Sequence, residues 1–521
     1  MKDLLTSKAG IILMIMTFFS CQEIVEKETD KPSDGNKSNE HLAPEEAFPG
    51  KQGILKTAKL YGQDITYSEI DGQAVFEGDI ILSPAQLKAA NARTDGTGTD
   101  VYEQLWPNGI IYYSVDPSVD GAFVEDAIKT VEEYTPVKFV KPRKGQTNNF
   151  VTFKRGIGLS SSVGMIGGEQ FITVTLFSSK GQLMHEILHT IGMFHEHTRK
   201  DRDNTILVKY ENIKEGFKYM FDTYAAQGLK GFEGRVGFDI ASIMMLDSYA
   251  FSKNGQPTML LKYDGMPFTV QRDDLTVWDR MTIMTMYTHI HSLRSGESDL
   301  DQVNIKNGRF YFYLSDDVKQ VDAMIEDAKF IYIVSEGFLK KMHAITGKAT
   351  TLTIGLSGTR VMAGFKNGDL FLVHQGILKR VNTTTGAVSV IGKQVWQNAR
   401  AMAYLNGFLY IVSEDYLYKV NPETSVAVSM GGGFNGITEL LAMKGSLYSM
   451  SGAGIYKIHP STGYASLLEK FAYTPTAQLA GFNGKLYVTD DRYFYEIDQN
   501  GNKKTLDNYF LYNKQLSAYS E

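Results

Sequence analysis

The chain has 521 residues, 43% of them hydrophobic and 21% charged, with a net charge of −6. That length exceeds one ordinary core and implies two or three domains of globular composition. The acidic balance and the lack of a basic run exclude nucleic acid as a partner, and a single cysteine, Cys21, excludes an intramolecular disulfide.

The chain opens MKDLLTSKAGIILMIMTFFSC, with Lys2 and Lys8 ahead of an apolar or near-apolar run from Ala9 to Phe19. The run is too short to span a bilayer as a helix and suits a signal-peptide core, which assigns residues 1–20 to a signal. Its end, Phe18-Phe19-Ser20-Cys21, resembles a bacterial lipoprotein signal, although that box usually has leucine where Phe18 stands. The resemblance implies lipid on Cys21 as the first mature residue, hence a membrane-anchored outer-membrane lipoprotein, surface-exposed or released. Several acyl chains anchor stably where one does not. A plain secretory signal with an incidental cysteine is the alternative, and it also exports the chain. Residues 21–50 are acidic, polar and poor in aromatics, which predicts a disordered tether. Acidic residues just after the cysteine resemble surface-export signals of some Gram-negative lipoproteins.

The stretch His185 to Asp203 reads HEILHTIGMFHEHTRKDRD. On a helix, His185 and His189 project from one face one turn apart, so both imidazoles can reach one ion at about 2.0–2.1 Å. Glu186 lies beside them, close enough to touch a bound water. Gly192 can take the left-handed conformation that stops a helix, which lets His195 return as a third ligand. Three ligands leave a fourth position open, the arrangement of a catalytic zinc. A chance HExxH has odds of roughly one in a hundred here, and adding the glycine and third histidine lowers that to the order of one in tens of thousands.

The extended pattern HExxHxxGxxHExxRxDRD resembles the astacin family of metzincin zinc endopeptidases. LWPNGIIYYSVD (Leu105 to Asp116) resembles that family's opening strand, and VGMIGGEQFITVTL (Val163 to Leu176) the strands above its cleft. FDIASIMMLDSYAFSKNG (Phe238 to Gly255) resembles its methionine turn, with Met244 beneath the metal, and QRDDLTVWDRMTIMTMY (Gln271 to Tyr287) its closing helix. The resemblance implies one Zn2+ per chain on His185, His189 and His195, and Glu186 as general base. It also implies that Glu196 receives the new amino terminus made when a propeptide is cut. It covers a domain placed at 94–290. Two features depart from the family. The disulfides of animal members are missing, and Leu246 stands where a tyrosine usually helps to stabilise the transition state. Loss of one such donor typically costs about 10²–10³ in rate. Tyr249, three residues on, is the candidate replacement.

Upstream, GQAVFEGDIILSPAQL (Gly72 to Leu87) carries Phe76-Glu77-Gly78-Asp79, which resembles the family's FxGD propeptide motif. By that resemblance Asp79 occupies the open zinc position in a zymogen, and residues 51–93 form the propeptide. The glycine-bearing stretch NARTDGTGTD (Asn91 to Asp100) is the natural place for an activating protease to cut, with Arg93 a plausible point.

After about residue 300 the chain turns to short alternating strands. FIYIVSEGFLKKMHAITG, DLFLVHQGILKRVNTTTG, FLYIVSEDYLYKVNPETS, SLYSMSGAGIYKIHPSTG and KLYVTDDRYFYEIDQNG align on Tyr332, Phe371, Tyr410, Tyr448 and Tyr487. Four strands recurring at that period resemble β-propeller blades, so residues 291–521 are expected to form an all-β propeller of about five four-stranded blades. A sixth blade assembled from Arg309–Ser315 and the C-terminal tail is the alternative count. The aligned aromatics are read as core. His289 and His291 are read as surface residues of an interdomain linker.

Two functions fit. The first is a secreted, membrane-anchored zinc endopeptidase acting on protein or peptide, made as a zymogen. The second is a pseudoprotease dulled at Leu246, in which the propeller works as a protein- or glycan-binding module.

Overall fold

The computed structural model describes residues 41–518, apart from 61–62, 89–103, 143–147, 228–236, 289, 295–299, 304, 306–309, 316–317, 328, 360, 367 and 508–512. The signal segment, Cys21, Arg93 and the expected domain boundary at 94 lie outside the described residues, as does His289. Among the described residues no helix is long and apolar enough to cross a membrane.

The part of the chain that carries the His185–Asp203 stretch is built on a four-stranded sheet ordered Lys138–Val140, Ile110–Val115, Phe150–Arg155 and Glu169–Val174, with every pairing parallel. Three helices serve it: α1 (Gly121–Tyr134), α2 (Lys180–Thr190) and α3 (Val277–Tyr287). Helix α1 buries Val124, Ala127, Ile128 and Val131, the spacing of one helical face, and Asp120 caps its first turn. Capping boxes start the other two, Ser179 with Gln182 in α2 and Thr276 with Asp279 in α3. Helix α2 is buried on all sides from Leu183 to Thr190, its polar His185, Glu186 and His189 included, as its place between other elements requires. Its Ile187 and Leu188 share one core with Trp106, Val151, Phe153, Met244, Ile283 and Met286.

Ahead of this domain, Ile54–Leu60, Gln63–Ile70, Gln73–Phe76 and Ile80–Leu82 form an antiparallel meander. The expected tether does not run through residue 50. From His41 the chain is described, Glu45 and Ala47 are buried, and Glu45 forms an ion pair with Arg272. Low hydrophobicity suggested disorder there. A paired charge allows burial that composition alone does not predict.

The C-terminal half is all-β. Five antiparallel four-stranded sheets follow the five repeats in order: 321–354, 361–395, 399–432, 437–470 and 478–507. A sixth sheet joins Phe310–Ser315, Leu300–Val303 and Ile290–Arg294 to the last strand, Asn513–Ala518. The repeat count of five falls one short among the described residues, since this sheet's strands come from two distant parts of the chain and repeat no motif, and the alternative sixth unit from Arg309–Ser315 and the C-terminal tail matches it. Neighbouring sheets touch through their first strands, and Asn513–Ala518 touches both Gln478–Phe482 and Val321–Glu326. The aligned aromatics are buried, as expected for core. Four of them face a cation across the hairpin: Tyr332 with Lys341, Phe371 with Arg380, Tyr410 with Lys419 and Tyr448 with Lys457. Lys341 Nζ donates to Thr383 O at 3.1 Å and Arg380 Nη2 to Pro422 O at 3.2 Å, each bonding to the next sheet's turn.

His291 is not a surface linker residue. It sits fully buried in Ile290–Arg294, with Nδ1 2.6 Å from Glu326 Oε2. The sixth sheet begins three residues after α3 ends, which leaves no linker to expose it.

Candidate metal centre

Helix α2 carries His185, Glu186 and His189, and each is fully buried. The helix ends at Thr190, and Gly192, at φ +113°, turns the chain so that Phe194 and His195 fold back. A tight turn at Glu77 (φ +49°) and Gly78 (φ +100°) delivers Asp79 from the other side. A Cβ on Gly78 would lie 3.1 Å from the Phe251 ring and 3.3 Å from Glu45 O, in a backbone region that side chains rarely adopt, so only glycine fits there.

The four expected ligand groups converge. His185 Nε2 lies 3.1 Å from His189 Nε2, 3.3 Å from His195 Nε2 and 3.2 Å from Asp79 Oδ2. Asp79 Oδ2 is 3.3 Å from His195 Nε2 and 3.7 Å from His189 Nε2. The opposite ring nitrogens are engaged elsewhere. His185 Nδ1 meets Ile243 O at 2.9 Å, His189 Nδ1 meets Met193 O at 2.7 Å, and His195 Nδ1 meets Glu77 Oε2 at 3.0 Å. Carbonyl and carboxylate oxygens only accept, so these Nδ1 atoms donate, and the Nε2 atom of a neutral ring is then a bare acceptor. With all three rings neutral, three such nitrogens and a carboxylate oxygen cannot satisfy one another.

A tetrahedral ion about 2.0 Å from each donor sets donor–donor separations of about 3.3 Å, which matches this group. Charge points the same way. Burial pulls the His189 imidazole down to about 4. At His195 burial acts in the same sense, but Asp79 and Glu77 override it and lift the ring to about 10. The four groups demand one shared cation, and the residues present fit zinc.

Glu186 stands beside the cluster. Ser161 Oγ donates to its Oε2 at 2.7 Å, and Oε1 is buried without a hydrogen-bond partner. Burial, then the nearby Asp79 charge, pushes its carboxyl well above the ordinary range. Asp79 O accepts from Ser161 N at 3.1 Å, Ile81 N donates to Ser161 O at 2.8 Å, and Leu159 N donates to Glu46 O at 2.9 Å. The upstream segment thus lies along Leu159–Ser161, just ahead of the Val163–Leu176 stretch read above as the strands over the cleft.

The methionine turn is anchored from α3. Asp279 accepts from Ser242 Oγ at 2.5 Å and from Ile243 N at 3.1 Å, and Met244 O accepts from Glu196 N at 3.0 Å. Met244 is fully buried in the main core, and Leu246 belongs to a second cluster with Phe221 and Met259. Glu196 is buried, with Oε1 accepting from Asp239 N at 2.8 Å and lying 3.5 Å from Arg199 Nε. Burial raises its carboxyl to about 8 against the opposing pull of Arg199. Tyr249 is not brought to the cluster. Its ring packs on His41 with centroids 4.0 Å apart, and its N–H donates to Asp247 Oδ1.

Sequence reasoning missed the partners of the ligands. The motif assigns Glu77 no role, and the alternation Glu-Gly-Asp is the only signal the sequence offers for it. Ser161, Glu45 and the carbonyls of Ile243 and Met193 left none, since such contacts depend on tertiary placement.

Comparisons with known proteins agree with this geometry. Residues 98–288 match the Astacin peptidase family. Zinc metalloproteinase nas-15 of Caenorhabditis elegans is 31% identical over 262 residues, covering 47% of this chain and 45% of that protein. Astacin-like metalloprotease toxin 1 of Loxosceles intermedia is 30% identical over 228 residues, covering 42% of this chain and 82% of the toxin. Among solved structures, High choriolytic enzyme 1, a hatching enzyme zinc-protease from Oryzias latipes, is 26% identical, covering 36% of this chain and 94% of its own, with a TM-score of 0.33. This chain therefore spans less than half the length of nas-15 and most of the spider protein. On the family match, and on the identity to a relative covered over most of its length, the chain belongs to the astacin family of peptidases.

Proposed function

We propose that this protein is a zinc endopeptidase held in a latent form by its own upstream segment. The observation that carries the reading is the convergence of three Nε2 acceptors and Asp79 Oδ2 beside a buried, half-satisfied Glu186. Bound zinc supplies Lewis-acid polarisation of a carbonyl and lowers the pKa of water toward about 7. Glu186 takes the proton of the attacking water on Oε1 and passes it to the leaving amine. His185, His189 and His195 hold the ion, and the oxygens of Ile243, Met193 and Glu77 fix the tilt of their rings. No covalent acyl intermediate forms.

Asp79 supplies the fourth ligand in the latent state. Cutting in the Asn91–Asp100 region by an activating protease frees it, and the new amino terminus then pairs with Glu196. Burial, Asp79 and Glu45 keep the Glu186 carboxyl high, and departure of Asp79 removes the second of these causes. The same departure takes His41 off Tyr249, the proposed replacement for the donor missing at Leu246.

The export reading stands with it: a signal at 1–20, lipid on Cys21 as the membrane anchor, and a short tether that ends before His41. The six C-terminal sheets form a propeller, supported by the contacts of Asn513–Ala518 with the sheets on either side. Protein or glycan is its proposed ligand class. A cavity of about 700 Å3 among the first strands, reached by Glu326, Arg400, Glu439 and Gln478, is the place to look.

The test is casein cleavage by the processed chain, with and without chelator, beside Glu186→Gln. Zinc-dependent cleavage lost in Glu186→Gln is expected. Equal behaviour of the two proteins would pass the function to the propeller and make the catalytic half a pseudoprotease.

A further inference from the structure

Ser161 touches both the latch and the base. Its side chain is fully buried, and its hydroxyl donates to Glu186 Oε2 at 2.7 Å. Its N–H donates to Asp79 O at 3.1 Å, and its carbonyl accepts from Ile81 N at 2.8 Å. A glutamate side chain turns about three bonds, and nothing in an HExxH helix fixes where its carboxylate points. Here one oxygen is tied to Ser161 and the other, Oε1, is left without a partner.

We propose that Ser161 is a positioning residue for Glu186: its hydroxyl fixes Oε2 so that Oε1 alone faces the reacting water. The inference rests on the peptidase reading above. The Ser161 proton stays on its own oxygen. The proton that moves travels from water to Oε1 and on to the leaving nitrogen. Because the main chain of Ser161 also pairs with the extended segment in the cleft, one residue aligns both the base and the chain to be cut. A substrate backbone pairing at the same N–H and C=O would register its scissile bond against an oxygen already in place.

The experiment uses the full chain, loaded with zinc and processed by limited proteolysis, with Ser161→Ala and Ser161→Thr. For Ser161→Ala, kcat on a fluorogenic peptide should fall about tenfold to a hundredfold, within what general acid–base catalysis supplies. KM should stay within about twofold, since the pairing groups are main-chain, and bound zinc should remain stoichiometric. Ser161→Thr, which keeps a hydroxyl, should recover most of the loss. A crystal structure of the latent Ser161→Ala chain should show the Glu186 carboxylate in more than one rotamer. In a Glu186→Asp background, whose shorter arm has already lost the contact, Ser161→Ala should cost less than about threefold. An unchanged kcat overturns the proposal. So does a rise in KM or a loss of zinc in step with kcat, either of which would mark a structural role. An inactive wild-type chain instead overturns the peptidase reading, and the proposal falls with it.

Discussion

Glu45 clasps Arg272 through two hydrogen bonds of 2.8 Å, one to Nε and one to Nη2, with both side chains almost wholly removed from solvent. Met245 O accepts a further bond from Nη2 at 3.0 Å. The pair ties the start of the described chain to the segment leading into α3, far from Asp79 in sequence but beside the same cleft. In the latent form proposed above it would be a second fastening.

Removing one partner of such a pair strands the other charge. Glu45→Gln is expected to destabilise the latent form by about 3–5 kcal/mol, whereas an apolar replacement of both residues should cost far less. Urea unfolding of the unprocessed chain measures this. A Glu45→Gln protein as stable as wild type would show that the pair fastens nothing.

The same carboxylate makes the latent form sensitive to acid. Burial alone would raise Glu45, but Arg272 overrides it and holds the group at about 2, against an ordinary 4.5. A depressed carboxyl contributes its stability above pH 4.5 and loses it as pH falls toward 2. The contribution is about 3 kcal/mol by linkage. Melting temperatures should drop across that window, and the drop should be shallower in Glu45→Gln.

Glu196 titrates in the opposite sense. Its carboxyl, raised by burial to about 8, favours the latent fold below pH 4.5 and costs stability as pH rises through 8. Glu196→Gln should flatten that decline in the unprocessed chain. The processed chain, whose new amino terminus can pair with the ionised form, should show little decline. Parallel thermal scans of the three proteins at pH 5 and pH 9 decide it.

Asp79→Ala removes the proposed fourth ligand without touching the histidines. The unprocessed variant should gain measurable peptidase activity that Glu186→Gln abolishes, while metal analysis still finds one zinc per chain. Zinc binding should also raise the melting temperature of wild type, and a chelator should reverse the gain. Silence from Asp79→Ala would mean that another part of the upstream segment blocks the cleft.

The convergence of the three histidines was legible because HExxHxxGxxH encodes its geometry locally: one helix face, one glycine, one return. Asp79 was legible only beside that motif. The repeats announced themselves through Tyr332 and its four counterparts, since each sheet solves the same packing problem. The sixth sheet escaped a firm count because Ile290–Arg294 and Asn513–Ala518 share no motif. Glu45 looked like part of a tether because composition sees a charge and cannot see the guanidinium waiting for it. Proximity in sequence alone points to Tyr249, and its ring faces His41.

The shared sheet sets an order of assembly. Asn513–Ala518 is made after the five repeat sheets and lies against Ile290–Arg294, translated some two hundred residues earlier. While the chain is still emerging, Ile290–Arg294 has an open edge, and the other five sheets stack without the piece that touches both ends of the row. The six sheets therefore pack against one another only once Asn513–Ala518 is present, and closing so long a loop slows that final step.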